Sequence, residues 1–259
     1  RLQDSKSTVC ELVVADHAVN LGVLPALNAR NSLLLNTETG KRWYRKLMEN
    51  PINVRKLLNA ESRGPLEEVI DSIFSGGPGG FIWKAWTTDS IVQGSFSPSV
   101  WREIAYNADQ HNEPGKFTTF SGYEWTPAEP LSYHRVVIFK DGAEAVAQVQ
   151  PFSKHDSEDP EKLWAYLENY EKETGGEVIA IPHNSNVTRG FMFALIDYKG
   201  NALTSAYAKV RSKWEPLVEV TQVKGDSETH PILSPADEFA DYETWNSWRG
   251  RTMEGIKTE

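Results

Sequence analysis

Short apolar, β-branched runs recur along the chain, and most of them run straight into a residue that can ligate a metal or move a proton. Leu12-Val13-Val14-Ala15 is followed by Asp16-His17. Phe117–Tyr123 is followed by Glu124, Val178-Ile179-Ala180-Ile181 by Pro182-His183-Asn184, and Leu217-Val218-Glu219-Val220 leads to the polar run from Lys224 to His230. Runs of this length and composition read as buried strands. Val136-Val137-Ile138-Phe139 reads the same way, but its histidine, His134, stands at the start of the strand, followed by Arg135. In parallel α/β folds the active site gathers at the C-terminal ends of the strands, which would draw these scattered residues into one place.

Helical stretches alternate with the strands. Residues 27–50 read as helical in parts, and residues 57–74 continue in the same style, with Pro65 starting a helix whose stripe is Leu66, Val69, Ile70 and Ile73. Ser97 is placed to cap a helix that has Pro98 in its first turn and Val100, Trp101, Ile104, Ala105 and Ala108 behind it, ending near residues 112–115. Asp159-Pro160-Glu161 opens another helix that runs to Thr174, where Gly175-Gly176 stops it. Gly76-Gly77-Pro78-Gly79-Gly80 reads as a loop, and it lacks the Lys-Ser/Thr that a phosphate-binding P-loop needs.

Bulk properties bound the partners. At 259 residues, 39% hydrophobic and 24% charged, the chain is long enough for one barrel-sized domain. A net charge of −9 argues against a nucleic-acid backbone or an anionic membrane surface as partner. It leaves room for a small anionic substrate, because a bound cation reverses the local field. The single cysteine, Cys10, allows neither an intrachain disulfide nor a cysteine-based zinc site. No apolar stretch is long enough to span a membrane. The first residues, Arg1–Lys6, do not read as a signal peptide; an upstream one would direct the chain to the periplasm or outside the cell.

The strand-end residues are imidazoles and carboxylates, the ligand set that suits Zn, Mn or Fe. Spacing alone leaves two readings level: a metal site, or a hydrogen-bonded structural His17 and a surface Glu124. His111, His155 and Asp156 read as solvated, and the nine tryptophans, with Phe191-Met192-Phe193, as core and pocket wall. A sugar-binding role for those aromatics is the weaker reading.

Residues Ala15–Gly22 (ADHAVNLG) resemble the second motif of the polymerase-and-histidinol-phosphatase (PHP) superfamily. Residues 106–126, His134–Phe139, 151–164, Ile181–Asn186 and 219–242 are similar to one bacterial branch, the domain-of-unknown-function family DUF3604. The resemblance implies a single PHP-like domain over residues 1–259 with a distorted (β/α)7 TIM-like barrel and two or three divalent metal ions at the strand C-termini. It implies hydrolysis of phosphate, phosphonate or sulfate esters by a metal-bound water. It would make His17, Glu124, His134 and His183 ligands, with Glu124 bridging and Asp16 a ligand or an orienting group for His17. Arg135, Asn184 and Lys224 would contact the anionic substrate, and Glu228 and His230 would transfer protons or add ligands.

The family pattern begins with an HxH pair and closes with a late Asp-x-His, and this sequence contains neither. The expectation is therefore a barrel lacking its first and last strands, cut from a longer chain, with fewer metals than the full cluster. A catalytically incomplete PHP-like domain acting as a binding or remnant module is the alternative to the enzyme.

Overall fold

A computed structural model of the chain describes residues 10–49, 96–127, 133–188, 190–222, 225–227, 231, 234–241, 247–248 and 251–252. The helix expected over 57–74, the glycine loop 76–80, and the residues Lys224, Glu228 and His230 lie outside them.

The principal sheet has four strands in the order β1-β2-β3-β4: Cys10–Val13, Phe117–Trp125, His134–Phe139 and Val178–His183. β1 runs parallel to β2, but β2–β3 and β3–β4 are antiparallel. The sheet is open, and among the described residues no barrel closes. This corrects the expected (β/α)7 barrel, in which every strand would be parallel and each followed by a crossover helix. The correction has a local cause. Only residues 126–133 separate β2 from β3, fewer than the dozen or more that a parallel crossover needs, so the chain turns back on itself. Reversal also explains why His134 begins its strand while Glu124 and His183 lie at the ends of theirs. All three reach the same end of the sheet.

Seven α-helices are described: α1 Val23–Asn28, α2 Ser32–Leu35, α3 Glu38–Glu49, α4 Phe96–His111, α5 Ala143–Val146, α6 Pro160–Thr174 and α7 Ser205–Trp214. α4 begins at Phe96, which puts Ser97 inside its first turn. α6 has the expected ends: the Asp159 side chain accepts from Glu161 N–H, and Gly175 stops the helix at φ 71°.

The two sheet faces differ. Tyr123, Trp125, Arg135, Val137, Phe139, Val178 and Ala180 alternate onto one face and are buried among Trp101 and Ala105 of α4 and Leu163, Trp164, Leu167 and Tyr170 of α6. Aromatic edges hold this core together, with Trp101 and Tyr123 rings 5.8 Å apart and Phe139 and Tyr170 4.8 Å apart. The other face carries Glu124, His134 and His183. Gly122 lets β1 approach that face, because a Cβ there would lie 2.5 Å from Val13 Cγ2 and 2.6 Å from the Val137 carbonyl. Val23, Leu24, Leu27, Leu34 and Trp43 form a smaller cluster among α1–α3.

Two further expectations change. Leu217–Val220 is not a strand; Leu217, Val218 and Val220 are exposed, and the two-residue strand β5 (Thr221–Gln222) begins just beyond them, paired with β6 (Gly225–Asp226). Of Phe191-Met192-Phe193, Met192 is core while both phenylalanines are half-exposed. The remaining pair is β7 (Ser247–Trp248) with β8 (Arg251–Thr252). No described helix is long and apolar enough to cross a membrane.

Candidate metal centre

Glu124 is the hub of the polar end of the sheet. After β1 the parallel register with β2 lapses and then resumes: His17 bridges Glu124, with Glu124 N–H donating to the Asp16 carbonyl at 2.8 Å and Ala18 N–H to the Glu124 carbonyl at 2.9 Å. That pairing carries His17 to the carboxylate, its Nδ1 3.5 Å from Glu124 Oε1. His134 Nδ1 lies 2.5 Å from the same oxygen. His183, the register partner of His134 across β3–β4, places Nε2 4.0 Å from Glu124 Oε2. Three imidazoles from three segments therefore surround one buried carboxylate.

Burial by itself pushes the Glu124 carboxyl up. The attraction of His17 and His134, the hydrogen bond from His134 and the attraction of His183 outweigh it and hold the group well below the ordinary carboxylate range.

A second layer fixes the rings. Glu219 Oε1 lies 2.5 Å from His183 Nδ1, and its Oε2 accepts from Asn184 N–H at 3.1 Å. A carboxylate on Nδ1 turns Nε2 of the same ring towards Glu124, the orientation typical of metal-ligating histidines. Glu219 N–H in turn bonds the Pro182 carbonyl at 3.1 Å, and Gln222 Nε2 donates to Glu219 Oε2 at 2.6 Å and to Asn184 Oδ1 at 2.8 Å. Asn184 is buried with φ 68°, a left-handed conformation that asparagine tolerates, and its Nδ2 stands 3.0 Å from His134 Nδ1. Thr126 Oγ1 hydrogen-bonds His17 Nδ1 and lies 3.4 Å from Glu124 Oε1.

Donor chemistry suits a divalent transition metal; bringing His183 Nε2 and Glu124 Oε2 from 4.0 Å to the roughly 3.3–3.6 Å spanned by two donors of one tetrahedral ion needs a small movement. His134, by contrast, spends Nδ1 on Glu124 and His17 spends Nδ1 on Thr126, so no set of three or more side chains among the described residues is gathered as a finished metal cage.

The structure brings together His17, Glu124, His134, His183 and Asn184. Asp16 is exposed and meets the cluster through its backbone carbonyl. Arg135 turns to the opposite face, where it is buried against Glu215. Glu219, Gln222 and Thr126 were not singled out by the sequence reading. Glu219 left a signal, as a lone carboxylate in the apolar run 217–220; Gln222 and Thr126 left none.

A family model described as a protein of unknown function (DUF3604) matches residues 11–258, so the chain belongs to that family. Comparison with curated proteins and with solved structures gave no match.

Proposed function

We propose that this DUF3604 chain carries a metal-dependent hydrolase centre for small anionic esters of the phosphate, phosphonate or sulfate type. One observation supports the reading above others: three imidazoles converge on a single buried, ionised carboxylate, and the His183 ring is held by a second carboxylate. The reaction class comes from the resemblance of Ala15–Gly22 to the PHP superfamily motif. His17, Glu124, His134 and His183 would hold a Zn, Mn or Fe ion, which when bound supplies an acidified water and a positive charge beside the ester oxygens. The rest of the work belongs to the chain. With an ion bound, Glu219 would keep the proton of His183 on Nδ1 and leave its Nε2 free to ligate. Asn184, whose Oδ1 accepts from Gln222, sits against the His134 ring. Asp16 aligns the His17 segment through its carbonyl. Lys224, Glu228 and His230 are proposed, from the resemblance, as anion contact and proton-transfer groups.

The second reading, a non-catalytic binding module, is favoured by the imidazoles already occupied by Glu124 and Thr126. Elemental analysis of the purified chain, with turnover of 4-nitrophenyl phosphate, phenylphosphonate and sulfate esters in added Mn or Zn, separates the two. The hydrolase reading expects bound metal and turnover that Glu124→Gln removes. Metal without turnover supports the binding module, and neither metal nor turnover rejects the centre.

A further inference from the structure

Behind the proposed ligands, one side chain meets the supports of two of them. Gln222 stands on β5, in register with Gly225 of β6. The same segment is tied to β4 just upstream, where Glu219 N–H donates to the Pro182 carbonyl at 3.1 Å. From this position Gln222 Nε2 donates to Glu219 Oε2 at 2.6 Å and to Asn184 Oδ1 at 2.8 Å. Each of those groups touches a ring. Glu219 Oε1 lies 2.5 Å from His183 Nδ1, and Asn184 Nδ2 lies 3.0 Å from His134 Nδ1. The two rings stand on different strands, opposite each other across β3–β4. His17 is held from elsewhere, by Thr126 Oγ1.

Hydrogen-bond polarity allows these contacts one arrangement. A carboxylate oxygen and an amide oxygen both accept, so Glu219 Oε2 and Asn184 Oδ1 both require the nitrogen end of Gln222. Turned over, the Gln222 amide would set its own oxygen against two acceptors. The choice passes on: with Asn184 Oδ1 taken by Gln222, Nδ2 is the end presented to the His134 ring. Asn184 has little freedom to adjust, being 1% exposed with its backbone at φ 68°. Glu219 Oε2 is shared as well, since it also accepts from Asn184 N–H at 3.1 Å. Removing the Gln222 donor therefore takes a partner from a buried amide and from a carboxylate at once, and each of them rests against a different histidine.

We propose that Gln222 is a positioning residue that couples the His134 and His183 rings, its one amide nitrogen orienting the asparagine beside the first and the carboxylate behind the second. Its effect on metal binding rests on the hydrolase reading; its effect on the rings does not. Outer partners of metal-ligating histidines set affinity within about 10–100-fold.

Histidine ring ¹⁵N chemical shifts of the chelator-treated chain, recorded at one fixed pH, test the coupling without a metal. Gln222→Met keeps the length of the side chain and removes its donor, at a half-buried position. It should move the signals of both His134 and His183, and those of His17 less than either. Arg211→Gln, which removes a partner of Glu215 on the opposite face, should leave all three in place. Zn²⁺ titration should then show Gln222→Met binding about tenfold more weakly than the unaltered chain. Gln222→Glu, which sets an acceptor in place of the donor, should also move both rings and serves if Gln222→Met does not fold. Unmoved His134 or His183 signals, His17 moving as far as they do, or Zn²⁺ held at full strength by Gln222→Met would overturn the proposal. An unaltered chain that takes no Zn²⁺ rejects the hydrolase reading instead, and the ring shifts alone then decide the coupling.

Discussion

Glu124 and Glu215 are both buried, and each is ringed by nitrogen groups, yet they have opposite characters. Glu124 faces three imidazoles, which can be charged or neutral and can exchange a proton for a metal. Glu215 faces two guanidinium groups and an indole, which can do neither. The two assemblies stand on successive residues of β3, His134 and Arg135, and the pleat sends them to opposite faces. One strand therefore supplies an adaptable polar cluster on one face and a fixed ion pair on the other. The adaptable one is where the proposed chemistry would sit; the fixed one ties β3 to α6 and α7.

Stability should break this comparison most sharply. Glu215→Gln leaves Arg135 buried without its counter-charge and should cost about 3–5 kcal/mol by urea denaturation. Glu124→Gln should cost less than about 1.5 kcal/mol, because its imidazole partners can shed their protons. Equal losses would mean that both assemblies are scaffold. Glu219→Gln sharpens the comparison next, since it loosens the His183 ring while leaving the cluster in place. Metal affinity should fall about 10–100-fold in a competition titration, with little change in denaturation midpoint. The smallest effect serves as a calibration of helix ends outside both assemblies. Asp159→Ala removes the α6 cap and should cost about 1 kcal/mol without altering metal affinity.

Much of this was legible in the sequence, for reasons that differ by residue. Glu124 and His183 end apolar strands, and strand ends collect sites, so both could be placed without knowing the topology. His134 at the start of its strand was the sign that β3 runs backwards. The alternation of helices and strands favoured a parallel α/β fold, the resemblance made it a barrel, and both hid that sign, because connection length, not periodicity, decides strand direction. Arg135 was expected to contact an anionic substrate beside the metal ligands, but it is the neighbour of His134 on a strand and points to the opposite face. Glu215 and Gln222 were invisible, since each meets its partners through contacts far apart in the chain, 80 residues for Glu215 with Arg135 and 38 for Gln222 with Asn184.

In the proposed centre Glu124 and His183 hold a divalent transition metal together. Calorimetric titration of Zn²⁺ and Mn²⁺ into the chelator-treated chain, run beside Glu124→Gln, His183→Asn and Arg211→Gln, tests it most directly. Saturable binding is expected, which both cluster variants lose and Arg211→Gln keeps. No binding by the unaltered chain, or binding that survives both cluster variants, would contradict it.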